Sequence, residues 1–227
     1  MNFLNKRRVA GLVGTCALVF GGVAGAAVGG AGPADAATCT AGVSSCLITG
    51  TASLGIGTLS ATTPSTLTWS TTLNGLDQNL VDTVPADEGY TVDDATGSSF
   101  GWHVTVSATT FTSTTPTAAT LADTGTFSTN GSVTSATDTT GPAAACSTGS
   151  TCTLPTNTVT YPVAITTAAT GPTPVSIYSA AAPTGVGSID IGGSTSANPV
   201  GWWLAVPGTT ATGTYTSTIT VDVVSGP

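Results

Sequence analysis

Tyr215-Thr216-Ser217-Thr218-Ile219-Thr220-Val221-Asp222-Val223 is the stretch that decides the fold class. Tyr215, Ser217, Ile219, Val221 and Val223 fall on one side of an extended chain, with Thr216, Thr218, Thr220 and Asp222 on the other. Successive side chains of a strand point to opposite faces, so this spacing separates an apolar face from a polar one. A helical period would scatter the same residues around an axis. Threonine suits the reading, because its branched Cβ sits well on a pleated surface. The stretch predicts a strand with one face on a core and the other toward water.

The same two-residue period recurs upstream. Trp202, Leu204 and Val206 share one face of a strand closed by Pro207-Gly208. Gly185 to Ile191 reads as another, ended by Gly192-Gly193, and Val175, Ile177 and Ser179 as a short one. Val159, Tyr161, Val163 and Ile165 alternate, as do Phe100, Trp102, Val104 and Val106. Leu67, Trp69, Thr71 and Leu73 predict a strand turned by Asn74-Gly75 into a return strand over Leu76 to Val84. Asn130-Gly131, inside Thr126 to Val133, marks a second hairpin. Asp82 to Asp94 reads as an acidic loop, and residues 134 to 155, rich in Ala, Thr and Ser, as a surface loop. No segment carries a helical period. Many short strands joined by turns predict an all-β fold, a β-sandwich of mainly antiparallel strands of the immunoglobulin-like kind, with barrel closure as the other solution.

Charge narrows the function classes. All three basic residues, Lys6, Arg7 and Arg8, precede an apolar stretch from Val9 to Gly30 and the small-x-small site Ala34-Asp35-Ala36. This order predicts a secretory signal peptide over 1–36 and a single domain over 37–227. An uncleaved anchor is the other reading of so long an apolar stretch, although its many glycines make a poor permanent helix. Beyond residue 36 there is no lysine and no arginine, while Asp35 is the one of the 11 acids that cleavage would remove. No ammonium or guanidinium is left to contact phosphate, which excludes nucleic acid as an electrostatic partner. Anionic membranes and phosphate-bearing wall polymers are repelled too, unless a divalent cation intervenes. A 40% apolar content, arranged in alternation, argues against disorder.

In an exported chain, Cys39, Cys46, Cys146 and Cys152 read as disulfide partners. Three connectivities are open, and proximity in sequence favours Cys39–Cys46 and Cys146–Cys152. His103 is the only histidine, it lies mid-strand opposite Trp102, and no G-x-S-x-G elbow exists. It reads as a strand residue on a half-exposed face. Asp87, Glu88, Asp93 and Asp94 are candidate oxygen ligands for calcium, without the spacing of an EF-hand loop. Solvation of a loop explains the same acids, so no metal or other cofactor is expected. Adjacent carboxylates such as Asp93 and Asp94 point apart on an extended chain, which leaves glycoside hydrolysis without support. Aromatic rings grip neutral sugars by stacking on the apolar face of a pyranose. Trp69 and Trp102 alternate with Leu and Val and are assigned to the core. Trp202 and Trp203 are consecutive and face opposite ways, and Trp203 is expected to be the exposed one.

Several of these segments resemble a known family. Val92-Asp93-Asp94-Ala95-Thr96-Gly97-Ser98-Ser99-Phe100-Gly101-Trp102-His103-Val104 resembles the first motif of the WxL-domain surface proteins, in which an acidic residue and a Gly-rich loop lead into Gly-Trp-x-Leu/Val. Tyr161-Pro162-Val163, Ile177-Tyr178-Ser179-Ala180-Ala181 and Gly185-Val186-Gly187 are similar to the run before the distal motif. Tyr215 to Val223, closing on Pro227, resembles the distal Tyr-x-x-x-Leu-Thr-Trp-x-Leu…Pro. The chain departs from the pattern at Val221-Asp222-Val223, where the distal Trp-x-Leu would stand, and a literal Trp-x-Leu occurs at Trp202-Trp203-Leu204. The resemblance spans roughly residues 50 to 227. It implies a secreted, non-enzymatic sandwich that binds peptidoglycan or another wall glycan non-covalently at the cell surface. Trp102, Val104, Trp202, Trp203 and Leu204 are then the candidate contact residues. An alternative is a structural or adhesive subunit that binds other surface proteins, with the last strand at a sheet edge open to a partner.

Overall fold

The computed structural model describes residues 50–115 and 118–226. The expected signal peptide, its cleavage site and the Cys39–Cys46 pair lie outside the described residues. The chain divides after Ala52, and every strand below belongs to the unit beginning at Ser53.

The strands are β1 (Leu59–Thr62), β2 (Gln78–Val81), β3 (Gly89–Asp94), β4 (Trp102–Ala108), β5 (Thr112–Ser113), β6 (Ala119–Thr120) and β7 (Phe127–Asn130). After these come β8 (Ala144–Cys146), β9 (Val163–Ile165), β10 (Val175–Ala180), β11 (Gly187–Gly192), β12 (Gly201–Val206) and β13 (Ile219–Ser225). Among the described residues the one helical element is a single 3-10 turn, Pro85–Asp87. The sheets run β1-β3-β11-β8, β10-β4-β13 and β2-β12-β7-β9, with β5-β6 as a small pair. Each strand pairing is antiparallel, as the alternation predicts.

The inner faces of the three larger sheets meet in one core. Tyr90, Val92, Ile189 and Ile191 come from the first sheet, Trp102, Val104, Val106 and Ile177 from the second, and Phe127, Ile165, Trp202 and Leu204 from the third. At roughly 25 cal/mol per Å² of apolar surface removed from water, this burial is the main force that offsets the chain's lost entropy. The chain has no cation beyond residue 8 with which to build ion pairs.

β13 behaves as its sequence predicts from Ile219 on, whereas Tyr215–Thr218, expected in the same strand, makes only an isolated bridge at Thr216. Ile219, Val221 and Val223 are half-buried, while Thr220, Asp222 and Val224 are exposed. It pairs along its length with β4, Val223 opposite Val104 and Ser225 opposite Trp102, and it is an edge strand of its sheet. β4 is covered on both lateral sides, and Trp102, Val104 and Val106 are fully buried.

Four local readings need correction. Residues 66–73 form no ladder, although Leu67, Trp69 and Leu73 are half-buried and Thr68, Ser70 and Thr72 exposed. An extended chain laid on a core alternates in burial whether or not it has a partner strand. Asp82 to Asp94 is a strand rather than a loop over its second half, because Tyr90 and Val92 fill the core between its acids. Asn130-Gly131 does not turn a hairpin, because the Asn130 side chain is buried and organises the loop that follows. Its Nδ2 donates to the carbonyls of Ser135 and Asp138, and its Oδ1 accepts from the Ser132 amide. Residues 134–155 are not all loop, since β8 adds to the edge of β11.

The disulfide Cys146–Cys152 is formed, with Cα atoms 5.5 Å apart. It fastens the end of β8 to the segment whose Thr153 bridges Val186.

Candidate functional site

A groove of about 860 Å³ lies beside β12 and β13. One wall is the extended, unladdered stretch 63–73, and the other is formed by 210–217 and the flank of β13 at Ile219 and Val221. Its floor is aromatic and aliphatic: Trp69, Phe111, Leu121, Trp202, Leu204 and Val206. None of the lining residues is charged, and the rims carry serine and threonine hydroxyls in quantity.

The floor is rigid because its rings hold one another. Trp69 meets Phe111 and Phe127 edge-on, each at 5.9 Å between centroids, and Phe111 meets Phe127 at 5.8 Å. Phe127 stacks on Trp202 at 6.1 Å. Edge-to-face and offset arrangements of this kind add about 0.5–1.5 kcal/mol per pair beyond burial. Trp69 is tied further by its Nε1, which donates to the carbonyl of Trp202 at 2.9 Å. The wall above it is pinned where the Thr68 amide donates to the Asp82 carboxylate.

Each residue singled out in the sequence has a definite place. Trp102 and Val104 are fully buried in β4, and the Trp102 indole donates to Gly185 O at 2.7 Å and stacks on Tyr178. Gly185 has φ +80°, and a Cβ there would lie 2.7 Å from Trp102 Nε1, so only glycine lets the chain approach the ring. Trp202 and Leu204 lie under the groove, and Trp202 Nε1 donates to Asp87 O at 3.0 Å. Trp203 is not exposed as expected. It is 6% accessible, because β12 is covered on both faces and the Trp203 indole donates to Asn130 Oδ1 and Ser132 O. No ring face of Trp102, Trp202 or Trp203 stands open to solvent.

The two motif positions are brought side by side. Trp102-His103-Val104 on β4 lies against Val223-Val224-Ser225 on β13, two residues along from Val221-Asp222-Val223. Trp202-Trp203-Leu204 sits in a different sheet, against β2 and β7.

The acidic candidates are dispersed. Asp94 is buried and caps its own turn through the Thr96 amide and hydroxyl, while Asp93 points to the opposite face of β3. Asp87 is buried at the 3-10 turn ahead of β3, and burial followed by the nearby Asp82 carboxylate raises its pKa. Among the described residues no group of three or more His, Cys, Asp or Glu gathers that could hold a metal ion. His103 donates from Nδ1 to Gly226 O at 2.7 Å, which ties down the residue after β13. Sequence reasoning missed the groove. Its walls are threonine- and serine-rich stretches, of which Leu67 to Leu73 and Tyr215 onward read as laddered strands, and only the tertiary fold sets them opposite each other.

An all-β module with a neutral, aromatic-floored groove is the class these features define. The family model described as WxL domain surface cell wall-binding matches residues 51–227, and the chain belongs to that family. No curated protein and no solved structure matches it. A wall-binding surface protein is therefore what the chain is.

Proposed function

We propose that the protein is exported and holds to peptidoglycan non-covalently, without catalysing a reaction, through the groove over Trp69. The observation that carries this reading is the lining itself: aromatic below, hydroxylated at the rims and without charge. A glycan strand offers the matching chemistry, an apolar pyranose face for the half-buried Trp69 and hydroxyls for the serines and threonines. The absence of lysine and arginine past residue 8 leaves stacking and neutral hydrogen bonds as the means of contact.

Co-sedimentation with purified peptidoglycan stripped of phosphate polymers tests it. The wild-type chain is expected in the pellet, with little change on adding salt, because no ion pair carries the contact. Trp69→Ala is expected to weaken retention roughly tenfold or more, as loss of an aromatic anchor does. Its folding is checked in parallel by circular dichroism. A well-folded Trp69→Ala protein retained like wild type would remove the groove from the wall contact.

A further inference from the structure

Ahead of β1 the chain carries an arm, Ser53–Thr58, that belongs to no strand and is exposed throughout. Leu54 is 92% accessible and Ile56 88%, the two most exposed large apolar side chains among the described residues. Their spacing puts both on one side of an extended chain. Gly57 and Thr58 are bonded to Ala95 beyond the end of β3, so the pairing stops there and Ser53–Ile56 runs on without a partner. Isolated exposed apolar residues need no explanation, but two at strand spacing on such an unpaired tip have the form of a strand lacking its sheet.

The groove has the complementary form. Its wall 64–73 makes no backbone–backbone hydrogen bond among the described residues. The opposite wall includes β13 only at Ile219 and Val221, and β1 lies close to that strand, so the unbonded wall 64–73 is the side left open to a new neighbour. Backbone donors and acceptors of an extended segment project sideways, in the plane where a neighbouring strand would lie. Groove and arm both carry no charge, so they meet without adding to the repulsion between two acidic molecules. The arm cannot serve its own groove as it stands. It enters β1 at Leu59, whereas the groove begins beyond the other end of β1, at Thr63, roughly 13 Å along an extended chain.

We propose that the arm of a second copy enters the groove as an added strand along the unbonded wall 64–73, with Leu54 and Ile56 directed at the aromatic floor. The contact is head-to-tail: each molecule gives an arm and receives one, which generates open chains of molecules rather than closed dimers. It shares the groove with the wall reading, and the two occupants exclude each other there. The arm proposal itself does not require that a glycan binds.

Sedimentation velocity of the exported, purified protein over a wide concentration range reads the outcome. Wild type is expected to shift from one chain mass to two and beyond. Leu54→Asp/Ile56→Asp, two changes at exposed positions, disables the donor, and Ser70→Arg places a bulky cation at the exposed rim of the acceptor. Each variant alone is expected to stay monomeric, with self-association weakened roughly tenfold or more. An equimolar mixture is expected to form a two-chain species, since one partner keeps an arm and the other a groove. A wild type that stays monomeric, or a Leu54→Asp/Ile56→Asp protein that associates like wild type, overturns the proposal. Wall retention separates the two readings, because the donor variant leaves the groove intact and is expected to pellet with peptidoglycan.

Discussion

At the scale of single residues, the stability of this protein rests on buried rings whose polar atoms are satisfied. Trp102 fills the centre of β4 and gives its N–H to Gly185 O. Trp102→Ala is expected to cost about 3–5 kcal/mol, through lost burial and the cavity left behind. Trp102→Phe keeps most of the volume but orphans the carbonyl, for about 1–3 kcal/mol. Urea titrations of both variants check the order of the two losses. Asp87 gives a different kind of test. Burial, then the Asp82 carboxylate, raises its pKa above the ordinary 3.8. A carboxyl with a raised folded pKa holds its proton more tightly folded than unfolded. Its favourable contribution is present in acid below the unfolded pKa and is lost as pH rises through the folded one. Asp87→Asn retains the backbone carbonyl that Trp202 uses and removes that loss. The variant's melting temperature is expected to exceed wild type at neutral pH and to converge with it in acid. Parallel curves across that range would show that Asp87 is not the group responsible.

At the scale of elements, the short strand β8 depends on a covalent neighbour. It has three residues at the edge of β11, and the Cys146–Cys152 loop begins at its last one. Closing a loop of this size is worth about 2 kcal/mol in the entropic account. Cys146→Ser/Cys152→Ser is expected to lose about that much. Hydrogen exchange is expected to quicken at Ala143–Ser147 before it does at β4, whose amides sit between two partner strands. Uniform acceleration across both elements would mean that the bond stabilises the whole fold rather than its edge. The element scale also shows what alternation does and does not encode. Burial alternates without a break from Asn157 to Thr167, yet only Val163–Ile165 is bonded into a ladder. The pattern reports which side of an extended chain meets the core. It carries no information about whether another strand lies alongside.

At the scale of the whole molecule, electrostatics is one-signed. With no cation past residue 8 to balance the acids, compaction brings like charges together. Raising sodium chloride is expected to increase the melting temperature by screening that repulsion, and a fall would contradict it. Three core tyrosines set the alkaline limit. Burial raises Tyr90 well above its ordinary 10, lifts Tyr161 as well, and pushes Tyr178 up to about 12. Phenols with raised folded pKa values stabilise the fold below the unfolded value and withdraw that stability as pH climbs past it. Their ionisation, followed by phenolate absorbance, is expected to coincide with unfolding in a single step. A gradual titration while the fold persists would place the rings in contact with water.

The amino-acid sequence by itself determined the strand content, the inward face of almost every strand, the antiparallel habit, the pairing of Cys146 with Cys152 and the family. All of these follow from the residue period, from nearness along the chain or from motif order. Tertiary structure alone decided that Trp203 is buried, that the acids of Asp82 to Asp94 are spread along and ahead of a core strand, and that two hydroxyl-rich stretches face each other across an aromatic floor. Those facts depend on which segments lie next to one another in space. Alternation along one chain says which way a side chain points, but it does not say what has been laid on top of it.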